Sequence, residues 1–292
     1  MKTLRDIILE AEEKKIAIAH FNIGNLEQLK GIAHAGIALN RPIIIGVSEG
    51  EREYLGVRHV VDYIKSYNDE YASENGFRLF LNADHTHSFE KAREAAEAGF
   101  DAVLFDGGKL PLDENIRQTK DVVSMVKSVD PRILIEGELG YIGTSSEIRK
   151  EIPEGAAIKE EDLTKPEDAA RFVKETRVEM LAPAVGNIHG MFADMHDPAL
   201  NIARIKVIKD AVGIPLVLHG GSGNSDEDFI AAIDAGISII HISTELRYMW
   251  RKELEEMLRE HPMEIAPSKI MPEVVKMIEE VAEKRMRLFS RL

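Results

Sequence analysis

The chain of 292 residues carries 37 Lys and Arg against 51 Asp and Glu, a formal net charge of −14, and no cysteine. The missing thiols exclude disulfides, thiolate zinc sites, iron–sulfur clusters and a cysteine nucleophile, so any metal has to be held by histidine and carboxylate. The acidic balance argues against general binding to nucleic acid or anionic membranes, which needs basic patches, but not against a small anion held by backbone N–H groups. No stretch reaches the ~18 apolar residues of a membrane span. The N-terminus lacks the ~7–15-residue apolar core of a signal peptide, so a cytoplasmic protein is expected.

Eight short runs rich in β-branched residues read as strands: 16–21, 42–47, 78–82, 102–105, 132–136, 180–183, 215–218 and 237–242. They are almost continuously apolar rather than alternating, as in a parallel sheet buried on both faces. Between and after them, helical patterns cover 26–39, 54–72, 88–98, 112–129, 166–175, 198–212, 226–235 and 246–260. Ser88 is a candidate N-cap and Gly99 a helix stop. The passages Ala98-Gly99-Phe100 and Ala235-Gly236-Ile237 repeat one device, a helix end, a glycine and the start of a strand.

Eight strands alternating with eight helices predict an α/β chain folded as a single (β/α)8 TIM barrel spanning 1–292. A doubly wound open sheet would carry its glycine-rich turn after the first strand. The first strand here leads into Asn22-Ile23-Gly24-Asn25, and the clearest glycine turn follows the seventh. Two segments exceed the barrel. One is a long polar loop at about 139–165, expected to be mobile or functional. The other is a C-terminal helical extension at about 266–292, which either covers its own barrel or packs against another subunit.

Of ten histidines, His85, His189, His219 and His241 fall at or just past predicted strand ends, the rim where such barrels place their chemistry. His20 ends the first strand and either reaches the site or packs, whereas His34, His59 and His261 lie in helical patterns. Three His ligands and an open position make a catalytic zinc arrangement; the alternative is strand-end histidines hydrogen-bonded to neighbours. Asp84 either faces a substrate beside a metal-facing His85 or serves as a cap or as a carboxylate orienting His87. Glu136 and Glu138 alternate onto one face of the fifth strand, to support a metal, move protons or pair with a buried cation.

The turns His219-Gly220-Gly221-Ser222-Gly223 and Ile242-Ser243-Thr244 follow the seventh and eighth strands, where these barrels commonly bind phosphate. Gly186 and Gly190 flank a further rim turn, to offer carbonyls to a monovalent cation or simply to permit the turn.

With these residues in place the sequence resembles the class II, zinc-dependent fructose-bisphosphate aldolase family, including its tagatose-bisphosphate branch. The resemblance runs through nearly the whole chain. It rests on Phe21 to Glu27, Asp84-His85, Phe105-Asp106-Gly107 with Leu110 to Ile116, Glu136 to Gly140, Val185 to Gly190, His219 to Gly223 and Ser243 to Arg247.

The resemblance implies a catalytic Zn²⁺ on His85, His189 and His219, with Glu138 near it as an alternative ligand. It implies Asp84 as the group that exchanges the C4 hydroxyl proton, and Glu147 on the long loop as the base at C3. Substrate and phosphate contacts are expected from Asn25, Ser48, Gly190, Gly220, Gly221, Ser222, His241, Ser243 and Thr244. A Na⁺ or K⁺ is expected near Gly186, Gly190 and Ser222.

The activity implied is reversible retro-aldol cleavage of a ketose 1,6-bisphosphate, first fructose 1,6-bisphosphate, to dihydroxyacetone phosphate and glyceraldehyde 3-phosphate through a metal-stabilised enediolate. Tagatose 1,6-bisphosphate or another ketose phosphate is the alternative substrate. A zinc hydrolase or a non-catalytic sugar-phosphate-binding barrel is the alternative class. The family's members are homo-dimers or homo-tetramers. The sequence departs from the family at His241, where Asn is usual, at Ile239 for a frequent Lys and at Gly108 for a frequent Ser. These changes spare the metal ligands and bear on the substrate.

Overall fold

A computed structural model describes residues 1–143, 147–151, 156, 159–192 and 197–292. The backbone closes into a barrel of eight parallel strands: β1 (Ile18–Asn22), β2 (Ile43–Val47), β3 (Leu79–Thr86), β4 (Ala102–Phe105), β5 (Leu134–Leu139), β6 (Met180–Pro183), β7 (Leu216–Leu218) and β8 (Ile237–Ile242). They follow one another around the barrel in chain order, and β8 pairs back onto β1 with His241 opposite His20. All eight predicted strands are present.

Helices connect them: α1 (Leu4–Lys14), α2 (Leu26–Leu39), α3 (Glu49–Leu55), α4 (Val57–Tyr71), α5 (Phe89–Ala98), α6 (Leu112–Val129), α7 (Pro166–Thr176), α8 (Ile202–Val212), α9 (Asp226–Ala235), α10 (Thr244–Glu260) and α11 (Pro267–Ser290). Three details differ from the sequence reading. The N-terminal charged stretch is itself a helix, α1, whose Thr3 and Asp6 form a reciprocal capping box. The pattern over 54–72 is broken at Gly56, whose positive φ of 85° ends α3 and begins α4. The helix expected from 198 begins at Ile202, capped by the Asn201 side chain.

The strands are apolar on both faces for two different reasons. Residues pointing outward, such as Phe21, Ile45, Leu81, Val103, Ile135 and Ile240, pack under the helices in the main core. Residues pointing inward are layered. The lower layer is apolar: Ile18, Ile44, Phe80, Leu134, Val217 and Ile239 pack on Leu4, Ile7, Ile8 and Ala11 of α1, which plugs that end. Two residues further along the same strands the side chains become polar: His20 and Asn22 on β1, Asn82 and Asp84 on β3, Glu136 and Glu138 on β5, His241 on β8. Period-two alternation keeps both layers inside, so the upper barrel is a polar chamber on an apolar floor.

The C-terminal extension covers its own barrel. α11 buries Ile270, Val274, Ile278, Ala282, Met286 and Phe289, and it approaches α2 so closely that a Cβ on Gly31 would lie 2.6 Å from the Val275 carbonyl oxygen. The 139–165 segment lies partly outside the described residues; its described part includes a short strand, Ile148–Arg149, parallel to Met191–Phe192. No helix among the described residues is long and apolar enough to cross a membrane.

Candidate active site

At the C-terminal ends of the strands a cavity of about 340 Å³ opens above the polar layer. Ser48, Asp84, His85, His189, Gly190, Gly220, Ser222, His241, Ser243 and Thr244 line it, as the sequence predicts; so do His87, weighed there only as a ring for Asp84 to orient, and Asn22, Glu49, Asp106 and Arg247, to which the sequence assigned no role. A cavity of about 60 Å³ beside α1 at the opposite end carries no histidine.

Asp84 and His85 are adjacent, yet both enter the chamber. Strand β3 makes this possible: its register with β4 shifts between Ala83 and Thr86, and His85 sits in the left-handed region at φ 39°. An irregularity of this kind re-aims a side chain that regular alternation would send outward.

His85, His189 and His219 bring ligand atoms within 4.8 Å of one another. His85 Nδ1 lies 2.9 Å from Asp106 Oδ2, and His219 Nε2 lies 2.7 Å from Glu136 Oε1. A carboxylate opposite each outer nitrogen fixes the tautomer with the proton on that side. The inner nitrogens, His85 Nε2 and His219 Nδ1, then present lone pairs to each other across 3.3 Å. Facing nitrogens at that distance need a positive charge between them, a shared proton or a metal ion. The third ring, His189, has its Nε2 buried and without a partner. Tetrahedral zinc with bonds of ~2.05 Å has ligand–ligand edges of roughly 3.3 Å, so the His85–His219 edge fits zinc, and the unpartnered His189 nitrogen is within reach as a third donor.

Charge in the chamber favours a cation at the same place. Burial works against a proton on His85, but Asp84, Asp106 and Glu138 overcome it and hold that proton well above the usual histidine range. Burial keeps His189 neutral, with His85 and His219 adding to the effect. Asp106 stays ionised far below the ordinary carboxylate range: burial opposes this, and the bond to His85 outweighs it. Glu138 stands on the Nδ1 side of His85, 3.5 Å away, not on the side facing the other two rings. Burial, then Asp106, pushes its carboxyl well up. It forms a separate group with His85 and Asp106.

Asp84 is anchored by one oxygen and open at the other. Its Oδ2 accepts from Asn22 Nδ2 at 2.8 Å, and Asn22 also donates to Glu51 Oε2 at 3.2 Å. Its Oδ1 is buried without a hydrogen bond, 3.6 Å from His241 Nδ1 and 4.0 Å from His85 Nε2. Burial would raise its pKa, but the imidazoles of His85, His20 and His219 and the Asn22 bond hold it far below the ordinary range. Behind it, the buried Arg52 donates to the carbonyls of Val47 and Asp84 and to Thr86 Oγ1, tying β2 to the irregular end of β3.

His20 and His241 form a second cluster with Asp84. Their rings are 3.4 Å apart and 2° from parallel. Parallel planes at that separation share no point, so the two rings cannot both aim in-plane lone pairs at one ion, and this cluster is not a metal site.

On the phosphate side, Gly220 has φ 62° and sits where a Cβ would lie 2.2 Å from the Ile188 carbonyl oxygen. Only glycine fits there. Ser222 Oγ accepts from the backbone N–H groups of Ser243 and Glu245, each at 3.2 Å, joining the two turns. Ser243 gives α10 no side-chain cap and its own Oγ is unpartnered. The N-terminus of α10 therefore meets the cavity with its anion-attracting end. Arg247, one turn into α10, also lines the cavity, with Nη2 2.5 Å from Glu51 Oε1.

Several expected residues stand elsewhere. Asn25 is spent as the N-cap of α2, accepting from Gln28 N at 2.9 Å, while Asn22 takes the inward position. Gly221 packs beneath the cavity against the His241 carbonyl. Gly186 faces Ala199 and is not brought to the wall that Gly190 and Ser222 share. Glu147 is exposed, 3.4 Å from Arg149 Nη1 and outside the cavity lining. Arg149 in turn donates from Nε to the His189 carbonyl at 2.7 Å, bracing that turn.

Comparison with known proteins places these features in context. The family model described as fructose-bisphosphate aldolase class-II matches residues 2–291. The chain is 34% identical over 270 residues to a fructose-bisphosphate aldolase of Geobacillus stearothermophilus, covering 92% of this chain and 90% of that protein. It is 32% identical over 285 residues to a 6-phospho-5-dehydro-2-deoxy-D-gluconate aldolase of Shouchella clausii, covering 97% and 92%. Among solved structures, the YdjI aldolase from Escherichia coli K12 superposes with a TM-score of 0.80 at 30% identity, covering 99% of this chain and 97% of that one.

Proposed function

Since this chain belongs to the class II fructose-bisphosphate aldolase family, and is thus a lyase of carbohydrate metabolism, we propose that it cleaves a ketose 1,6-bisphosphate with zinc held by His85, His189 and His219. Fructose 1,6-bisphosphate is the first candidate substrate. The single observation that carries the reading is the facing pair of inner imidazole nitrogens at 3.3 Å beside a carboxylate with one open oxygen.

Bound zinc supplies a Lewis acid that draws electron density from the ketone carbonyl. The chain's own groups do the rest. Asp84 is ionised and has Oδ1 free, so it takes the C4 hydroxyl proton in cleavage and returns it in condensation. Asn22 keeps its other oxygen occupied, which fixes the direction of attack. Gly190, Gly220, Ser222, Ser243 and Thr244 hold one phosphate at the start of α10, with Na⁺ or K⁺ alongside Gly190 and Ser222. Arg247 is assigned to the second phosphate: it is the one Lys or Arg among the described residues lining the cavity. Glu147, on the segment after β5, is assigned the proton at C3 on the family resemblance alone, since its carboxylate here stands outside the cavity lining. Glu138, 3.5 Å from His85 Nδ1, would offer an alternative carboxylate ligand to a zinc ion held there.

A second reading keeps the mechanism and changes the substrate to tagatose 1,6-bisphosphate or another ketose phosphate. His241 at the cavity wall and the relative named for 6-phospho-5-dehydro-2-deoxy-D-gluconate support it. Family membership leaves the zinc hydrolase and the non-catalytic barrel without support. The reading is completed by a cytoplasmic homo-dimer or homo-tetramer, which sedimentation of the purified protein tests.

The deciding experiment assays the zinc-loaded protein on fructose and tagatose 1,6-bisphosphates with coupled detection of triose phosphate. Turnover is expected, abolished by chelation and restored by Zn²⁺. Cleavage that survives complete metal removal overturns the mechanism. In the same assay Arg247→Ala should raise KM for the bisphosphate by roughly tenfold or more, as expected for a lost charged contact, while leaving zinc content intact.

A further inference from the structure

We infer that His20, which the mechanism does not use, is a positioning residue: stacked on His241, it holds that ring against Asp84, and the pair reads the configuration of the carbon whose hydroxyl Asp84 deprotonates. The inference rests on the ketose bisphosphate reading for its substrate.

His241 is sandwiched. One face lies on His20 at 3.4 Å, and the other meets His219 at 3.9 Å with the planes 35° apart. Its ring plane is therefore set by its neighbours, yet neither of its nitrogens has a hydrogen-bond partner, and it borders the cavity. A buried imidazole with two unspent nitrogens is an unusual expense unless a ligand supplies the missing bond.

The position of the ring names the ligand atom. His241 Nδ1 is 3.6 Å from Asp84 Oδ1, and that oxygen is also unspent. An oxygen ~2.8 Å from both completes a triangle on that base with ordinary hydrogen-bond lengths. A hydroxyl placed there gives its proton to Asp84 and accepts from His241. The epimer at the same carbon directs its hydroxyl away from one of the two and leaves a buried polar group unpaired, the kind of loss on which sites discriminate strongly.

His20 is what keeps this geometry. It is fully buried and is the register partner of His241 across the β1–β8 seam, where strand spacing brings the rings face to face. Asn82 Nδ2 lies 3.1 Å from its Nε2 and fixes its rotation. On its far side stands Gly46 of β2: a Cβ there would lie 2.1 Å from His20 Cε1. Glycine at 46 thus makes room for the stack, and Asn82 and His241 complete the slot.

The test compares His20→Ala, which removes the stack, Gly46→Ala, which displaces the ring without removing it, the double variant, and His20→Gln, which keeps a flat polar group. Each zinc-loaded protein is assayed on the C4 epimers fructose and tagatose 1,6-bisphosphate, with zinc content and melting temperature measured alongside. The ratio of kcat/KM for the two epimers should fall about tenfold or more in His20→Ala and in Gly46→Ala, and stay within about threefold of the parent in His20→Gln. Gly46→Ala should add nothing in the His20→Ala background, since it acts through that ring. A ratio unchanged in His20→Ala with zinc still bound overturns the inference, as does an equal effect of Gly46→Ala in both backgrounds.

If the parent cleaves neither epimer, the reaction reading fails, and imidazole NMR still judges the positioning. The His241 ring protons, shifted upfield by the stack, should move downfield in His20→Ala and in Gly46→Ala. Signals that stay in place refute it, and they do so in the Gly46→Ala protein even where His20→Ala fails to fold.

Discussion

A histidine whose outer nitrogen donates to a carboxylate has already chosen which nitrogen faces inward. Asp106 and Glu136 make that choice for His85 and His219, and Asn22 makes the corresponding choice for Asp84 by occupying Oδ2. The clustered side chains were legible in the sequence because strand-end histidines and an adjoining acid stand out in an apolar run. Their partners were less so. Glu136 was visible as an inward acid, but Asp106 reaches His85 from the neighbouring strand, and Arg52 and Arg149 act on carbonyls far from them in sequence. Asp84→Asn keeps the size and the Asn22 contact and removes the proton acceptor. It should retain zinc and lower kcat by about 10²–10⁴, read by the coupled assay together with metal analysis. Near-parental turnover would assign the proton to another group.

At the level of elements, strands were more legible than helix limits. Continuous apolar runs announce a strand buried on both faces, but α1 hides its buried stripe of Leu4, Ile7, Ile8 and Ala11 among charges, and only Gly56 divides what reads as one helix. The irregularity that lets Asp84 and His85 share the chamber has no sequence signature, because it is a property of two strands and their register. The plug role of α1 can be measured. Ile8 is fully buried against the barrel floor; Ile8→Ala should cost about 2–5 kcal/mol in urea unfolding, with zinc affinity unchanged because the floor lies a layer below the proposed ligands. A cost under about 0.5 kcal/mol would show that the helix does not bear on the barrel.

Taken whole, the molecule carries three buried imidazoles in and above its polar layer whose low proton affinity makes stability depend on pH. Burial is the first cause of the low pKa of His189 and His241 and pushes His20 down to about 4. In an open chain a histidine titrates near ~6.5. Between those values the unfolded chain binds a proton that folded His20 refuses, so stability falls as pH drops through that window and the loss ceases below about 4. Relative to His20→Gln, the metal-free parent should therefore lose about 2 kcal/mol more between roughly pH 7.5 and pH 5. Parallel pH profiles of the two unfolding free energies would refute the assignment of that slope to His20.

The sequence by itself determined the barrel, its eightfold order and the strand-end histidines that gather at its rim, because each depends on local patterns: apolar runs, helical spacing, glycine stops and polar groups at strand ends. The tertiary structure alone decided which inward acids back which imidazoles, that Glu147 rests on Arg149 outside the cavity lining, and that His20 and His241 stack. Those facts follow from register around a closed sheet and from side chains meeting across the barrel, distances that no run of consecutive residues encodes.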